Sequence, residues 1–330
     1  MERILINKEV EDCAAEYLAA LKVRTSKAFR LPTEKLTMFR DFLQAKGKRY
    51  AKYTAYVETI IKNYDTIILL KPDDFKKYGQ QHLNILKDSQ LKKKFKYQKS
   101  CKCFYEHVVD AMRYQWVRDK VYLEYGLRLG IKACVYCNAQ YATTATVKGK
   151  IVATYDLDHY YPKSHYPFLC TSFYNLVPVC ARCNRVKNDS KPTFCLYTTD
   201  YNKLRPFKFC LDPQSVIKYM LTHQEQQLSI ELTPNDVIEA TELNKHIQQL
   251  GLDELYSAHK DTASEILWKA KIYNKTFRQQ LEIQFGKLFP HMEKDVDRFI
   301  TGFSLRKGDV HKRPLTLMGQ DIYDKYRTDK

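Results

Sequence analysis

The chain opens on helical periodicity. Val10, Cys13 and Ala14, Tyr17 and Leu18, and Leu21 recur at three- and four-residue steps, the spacing of one apolar helix face. Pro32-Thr33 reads as a helix start, with Leu36, Phe39, Phe42 and Leu43 on one face and Gly47 as the stop. Tyr53, Val57, Ile60, Ile61 and Tyr64 predict a third helix. Pro72-Asp73-Asp74 starts a fourth, because acidic side chains favour a first turn whose N–H groups are unpaired. Phe104, Val108, Met112 and Trp116 lie four apart and predict one long helix. The period then changes. Tyr141 to Val147 and Lys150 to Leu157 are rich in β-branched and aromatic residues and flank Lys148-Gly149, which predicts a hairpin. Ser172 reads as the cap of a short turn that carries Asn175 and ends at Pro178; a helix follows from Cys180 through Arg185 and Lys187. Further on, Phe207/Phe209/Leu211, Val216 to Leu221 and Leu228/Ile230/Leu232 predict three short strands, a small β-meander. Leu252, Tyr256, His259, Ala263, Ile266, Ala270, Tyr273 and Phe277 then step by fours and threes. That stripe predicts a long helix packed on another helix, inside a helical bundle or against a partner. The expected class is α+β and mostly helical, with a helical region over 1–130, a central segment over 131–200, and a β-meander plus helices over 201–330.

Composition adds a partner. At 330 residues the chain buries a core easily, and 10 Gly with 11 Pro argue against low complexity. The formal charge is +17, made of +12 over 1–133, +6 over 134–210 and −1 over 211–330. A basic excess attracts polyanions, so nucleic acid is the first partner to consider. The densest run is 87–102, with seven lysines, Lys92, Lys93 and Lys94 among them, against one acid. It reads as a loop that tracks a phosphate backbone, or else as a solvated basic loop. The many tyrosines of the first region read as packing rather than as a base-stacking platform. The opening MERILINKEVED is too charged for a signal peptide, and no apolar run approaches the ~18 residues of a membrane span. A cytoplasmic protein with reduced thiols and no membrane contact is the expectation.

Ten cysteines in so long a chain do not call for a disulfide framework. Four of them form two CxxC pairs, Cys134/Cys137 and Cys180/Cys183, and two such pairs complete a tetrahedral zinc site. Four thiolates leave no open position, so that zinc is structural. Forty-two residues lie between Cys137 and Cys180, enough to hold further chemistry. They include Asp158-His159 and Asn175-Leu176, and Asn184 follows the last cysteine. Phosphodiester hydrolysis needs a base for water, a cation on the phosphate and help for the leaving oxygen. His159 is the base. Asp158 and the amide oxygen of Asn184 are hard ligands that suit Mg²⁺ or Mn²⁺. Asn175 hydrogen-bonds the loop backbone and orients the His159 ring. Lys163, Arg185 and Lys187 meet phosphates. His165 reads as a loop residue, and His82, His107 and His259 as core or surface residues of helices. A zinc deaminase is excluded for want of a His-x-Glu ahead of the cysteines.

The order CxxC, Asp-His, Asn-Leu, CxxC-Asn resembles the motif of HNH endonucleases, the ββα-metal nucleases. With Asn184 last and Asp156 in DLDH, it is similar to the HNH domain of CRISPR effector nucleases; colicin-type DNases keep His at that last position. The phrases LGIKACVYCNAQY and DLDHYYPKSHYP further resemble HNH effectors of Septu and retron-type anti-phage systems. The resemblance implies a zinc-stapled ββα-metal core at 131–200, embedded between the basic helical region and the C-terminal region. It implies a hydrolase acting on nucleic acid, with DNA favoured over RNA, and a defence role beside an ATPase partner. The competing reading is a zinc-stabilised nucleic-acid-binding module without catalysis.

Overall fold

The computed structural model describes residues 1–83, 85–190, 193–235, 237–288 and 296–327, the side chains of 82 and 83 excepted; His82 therefore lies outside the described side chains. The chain divides into two compact units. One comprises Ile4–Leu129 and Thr144–Tyr201, the other Met1–Arg3, Gly130–Thr143 and Asn202–Lys330. Both are α+β and mostly helical. Among the described residues no helix is long and apolar enough to cross a membrane.

In the first unit the expected stripes become helices. Helix α1 (Lys8–Leu21) buries Val10, Cys13, Ala14, Tyr17 and Leu21, and the Asn7 side chain caps it by accepting from the Val10 N–H at 3.0 Å. Helix α2 (Pro32–Ala45) buries Leu36, Phe39 and Leu43; Gly47 follows it in the left-handed region at φ 86°. Helix α3 (Ala51–Lys62) ends before Tyr64, which opens a separate short helix over Tyr64–Ile68, and α4 (Pro72–Leu83) follows.

Two expectations fail ahead of the central segment. The lysine run is no loop: strands β1 (Lys94–Tyr97) and β2 (Ser100–Cys103) pair antiparallel across it. Phe95 and Tyr97 share one face of β1 and the lysines take the other, which is the period of a strand. Phe95 is buried with its ring 4.8 Å from Tyr53, and the ring of Tyr97 lies 4.8 Å from Phe39. Nor do residues 104–116 form one helix. Helix α5 (Phe104–Ala111) stops, Arg113 takes the left-handed region at φ 63°, and the chain resumes as short helical pieces to Arg128. The break turns Tyr114 inward, where its hydroxyl donates to the Leu157 carbonyl at 2.6 Å.

The central segment holds two hairpins. Strands β3 (Thr144–Val147) and β4 (Lys150–Ala153) are joined through Lys148 and Gly149, both at positive φ, the geometry of a type I′ turn. The second expected strand does not run on to Leu157. It breaks at Thr154-Tyr155, and β5 (Asp156–His159) pairs antiparallel with β6 (Leu176–Val179), a stretch read above as the end of a turn. The register sets His159 opposite Leu176 and Leu157 opposite Pro178. A two-stranded ladder tolerates this proline, because a strand with no second neighbour has one edge that needs no donor. Burial explains the pairing: Leu176, Val177 and Val179 are all fully enclosed. Helix α6 (Ala181–Lys187) follows directly, with Cys180 at its N-cap. Ser172 leads into a short turn over Phe173–Asn175, as expected, but its hydroxyl donates to Ile68 O at 3.4 Å rather than capping.

In the second unit the expected meander has two strands, β7 (Phe207–Leu211) and β8 (Ile230–Pro234), paired antiparallel. The third expected strand, Val216 to Leu221, lies in helix α7 (Pro213–Thr222). Asp212 starts it by accepting from the Ser215 N–H at 2.7 Å, and Pro213 fits the first turn. The long stripe is divided too, into α8 (Leu252–Ser257), α9 (Lys260–Ile272) and α10 (Lys275–Leu288). Leu252, Tyr256, Ala263, Ile266 and Ala270 are buried within the unit, whereas Phe277 is 43% exposed.

Candidate active site and metal centre

Cys134, Cys137, Cys180 and Cys183 are all buried, and their sulfurs lie within 4.8 Å of one another. A tetrahedral zinc with bonds of about 2.3 Å sets thiolate sulfurs about 3.8 Å apart, so the four residues fit that ion. Local geometry agrees. The Asn138 N–H donates to Cys134 O at 2.7 Å, and the Ala139 N–H donates to Cys137 Sγ at 3.4 Å, a donor that stabilises a thiolate. Asn138 makes this knuckle possible. It accepts φ 51°, which asparagine does more readily than most residues, and its buried amide donates to Val310 O and accepts from the Leu317 N–H. Tyr256 Oη donates to Cys137 O at 2.7 Å.

The second cysteine pair sets the start of α6, and Asn184 comes one residue after Cys183. The helix thereby carries Asn184, Arg185 and Lys187 beside the end of β5. Asp158 and His159 are neighbours on a strand and would face opposite ways in mid-sheet. Here the strand ends at His159, and both side chains line one cavity of about 410 Å³ with Pro162, Lys163, Asn184 and Arg185.

The His159 ring is buried and its tautomer is fixed. Nε2 lies 3.0 Å from the Cys170 carbonyl; a carbonyl only accepts, so Nε2 carries the hydrogen and Nδ1 holds the lone pair. Burial first, then the charge of Lys163, push the imidazole down to about 3 against an upward pull from Cys170 O, with a smaller push from Lys187. It is neutral at pH 7. The Tyr114 ring packs 4.7 Å from it, and Lys163 Nζ sits 5.0 Å from the centre of that same ring.

Asn175 does half of what was expected. Its Oδ1 accepts from the Tyr161 N–H at 2.7 Å, and its Nδ2 donates to Tyr161 O and Leu169 O. It therefore ties both arms of the loop between β5 and β6. The ring is held by Cys170 O, not by Asn175.

Two polar contacts were not foreseen. Lys187 Nζ lies 2.9 Å from an Asp158 carboxylate oxygen and donates to His159 O at 2.7 Å, with only 6% of its side chain exposed. Its expected place on the phosphate-facing surface is thus corrected: it is an internal counterion of Asp158. Asn184 Nδ2 donates to Asp156 Oδ2 at 2.9 Å. Since a carboxylate only accepts, the amide end at Asp156 is the nitrogen, and the oxygen is the end left for a cation. Lys163 and Arg185 line the cavity. Lys92, Lys93 and Lys94 are exposed but are not among its lining residues. His165 Nδ1 pairs with Asp88 at 2.6 Å, and His107 is buried with Nε2 3.0 Å from Phe95 O, so neither is a ligand here.

A strand pair, a following helix, four clustered thiols and a buried His beside Asp and Asn thus meet in one segment. Residues 134–193 match the family model described as HNH endonuclease. The match spans both cysteine pairs and Asp158, His159, Asn175 and Asn184. The match is to an endonuclease family and suggests nuclease activity on nucleic acid. No curated protein and no solved structure matches the chain.

Proposed function

We propose that this protein is a metal-dependent endonuclease that hydrolyses phosphodiester bonds, with β5, β6 and α6 as a ββα-metal core and a structural zinc on the four cysteines. The observation that carries the reading is the buried, neutral His159, whose Nδ1 lone pair is left for the cavity that Asp158 and Asn184 line. The donor set fits a hard cation: Asp158 offers a carboxylate, and Asn184 an amide oxygen whose nitrogen is already engaged. These two residues would hold Mg²⁺ or Mn²⁺, which when bound supplies positive charge to the scissile phosphate. His159 takes the proton of the attacking water at Nδ1 and keeps its Nε2 hydrogen on Cys170 O, which accepts from the resulting imidazolium. Lys163 and Arg185 hold phosphate oxygens. Asn175 keeps the loop that presents Cys170 O in place. DNA as the preferred substrate, an anti-phage role beside an ATPase and a cytoplasmic setting rest on the resemblance and the sequence reading alone.

The test is cleavage of DNA and RNA panels with Mg²⁺, Mn²⁺ or neither. His159→Ala should lower the rate by about 10²–10⁴-fold while zinc content and nucleic-acid affinity stay near wild type. Asn184→Ala should lose activity that high Mg²⁺ or Mn²⁺ partly returns, and Asn175→Ala should fall between. A protein that binds these panels yet cuts none of them, or a His159→Ala variant as fast as wild type, identifies a binding module instead.

A further inference from the structure

The first unit has a second cavity, of about 500 Å³, that the catalytic chemistry leaves unused. Its size falls in the range of small-ligand sites. Four cations line it: Arg30, Lys35, Arg113 and Lys120. The two acids in its wall are already engaged, Asp110 with Lys102 at 2.5 Å and Asp119 with Arg118 at 2.7 Å. Among the described residues none of the four lining cations has a carboxylate ion-pair partner. Burial and then the Arg113 charge lower the Lys35 ammonium, against a partial upward pull from Asp110 and with a smaller push from Lys102. Tyr97, Tyr114 and Trp116 also line it, and the Arg113 guanidinium stacks 4.0 Å from the Phe29 ring, itself 4.9 Å from Trp116. Lys35 Nζ donates to Asp110 O and Arg113 Nε to Arg30 O, each at 3.1 Å, which leaves both charges without a carboxylate; planar apolar faces beside such cations suit a ligand with a flat ring and a phosphate.

Its neighbours give the ligand a source. Gln98 and Ser100, at the turn of the lysine hairpin, form one side of the wall. Tyr114 lines it too, and the same ring lies 4.7 Å from the His159 ring, tilted by 50°, with Lys163 Nζ 5.0 Å from its centre. The hairpin, the cavity and the candidate active site are therefore contiguous through shared residues. We propose that the cavity seats one unpaired nucleotide of the bound strand, its base against Trp116 and its phosphate on Arg113 and Lys35, so that the enzyme acts on single-stranded or locally unpaired nucleic acid. This rests on the nuclease reading for its substrate and on the cavity for the unpaired base.

Trp116 and Trp268 are the chain's two tryptophans. Full-length protein carrying Trp268→Phe isolates the Trp116 signal. It is titrated, without added divalent metal, with a single-stranded oligonucleotide, with an abasic strand of equal length, and with free nucleoside monophosphates. The oligonucleotide should quench Trp116 and bind about tenfold tighter than the abasic strand, the size of one base–aromatic stack. By anisotropy of labelled strands, Trp116→Leu should erase that difference while keeping the abasic affinity, and Trp116→Phe should restore it. Equal affinity for both strands in the parent protein, or a difference that survives Trp116→Leu, overturns the assignment. So does a free monophosphate that binds tighter than the strand, because the cavity would then serve a soluble nucleotide. Cleavage is not read, so a protein that passes these tests and cuts nothing fails as a nuclease and not as a binder of unpaired bases.

Discussion

His159 is kept neutral by burial and by two nearby ammonium groups, so it does not have to shed a proton before accepting one. Its order in the chain with Asp158, Asn175 and Asn184 was legible, since each stands at a recognisable place relative to a cysteine pair. Their partners were not. The Cys170 carbonyl reaches His159 only because the loop between β5 and β6 folds back, and Lys187 reaches Asp158 only because α6 packs beside the end of β5. Lys187 carries a prediction. Its ammonium is the charge that balances a nearly buried carboxylate, and removing one partner of such a pair typically costs about 3–5 kcal/mol. Lys187→Met should lower the urea midpoint in metal-free buffer, and millimolar Mg²⁺ should return much of the loss by taking the empty place at Asp158. A variant whose midpoint ignores both the substitution and the cation would show that Asp158 is not the ion's ligand.

Among the elements, periodicity marked helices where one face is buried and missed the breaks that tertiary contacts impose. Arg113 ends α5 because Tyr114 is drawn to Leu157 O, a force no four-residue spacing records. The lysine run misled for another reason: charge density masked the alternation of Lys94, Phe95, Lys96 and Tyr97. As a hairpin it holds Lys92, Lys93 and Lys94 exposed at or next to one rigid strand. Replacing all three with glutamate should weaken strand binding and flatten its dependence on salt, because fewer counterions are released. Unchanged affinity and slope would make the hairpin a merely solvated edge. The start of α6 depends on the second cysteine pair. Wild type should hold one zinc per chain, and Cys180→Ser should lose it along with much of the thermal stability, since metal binding at such a site is also folding free energy. Folded, zinc-free protein by metal analysis would contradict the four-thiolate assignment.

For the whole molecule, two buried histidines set a common acid limit. Burial, the largest influence on each, pushes His159 down to about 3 and His311 down to about 4. The folded state thus binds fewer protons than the unfolded chain, whose histidines titrate near 6.5. Stability should be full above about pH 6.5 and fall as pH drops from there toward 4, by on the order of 3 kcal/mol for His311 alone. Urea midpoints across that range should show it, and His311→Gln should flatten the slope; a slope identical in both proteins would mean that the group is not held neutral. The local chemistry could be read from the chain alone: the four thiols, the Asp-His and Asn positions and the basic first region depend on residue type and short spacing, which the sequence states directly. Strand partners, helix breaks, the Lys187–Asp158 pair and the aromatic cavity depend on which distant side chains share a burial site. That choice is made only when the whole chain competes for the same interior, so only the tertiary structure decided it.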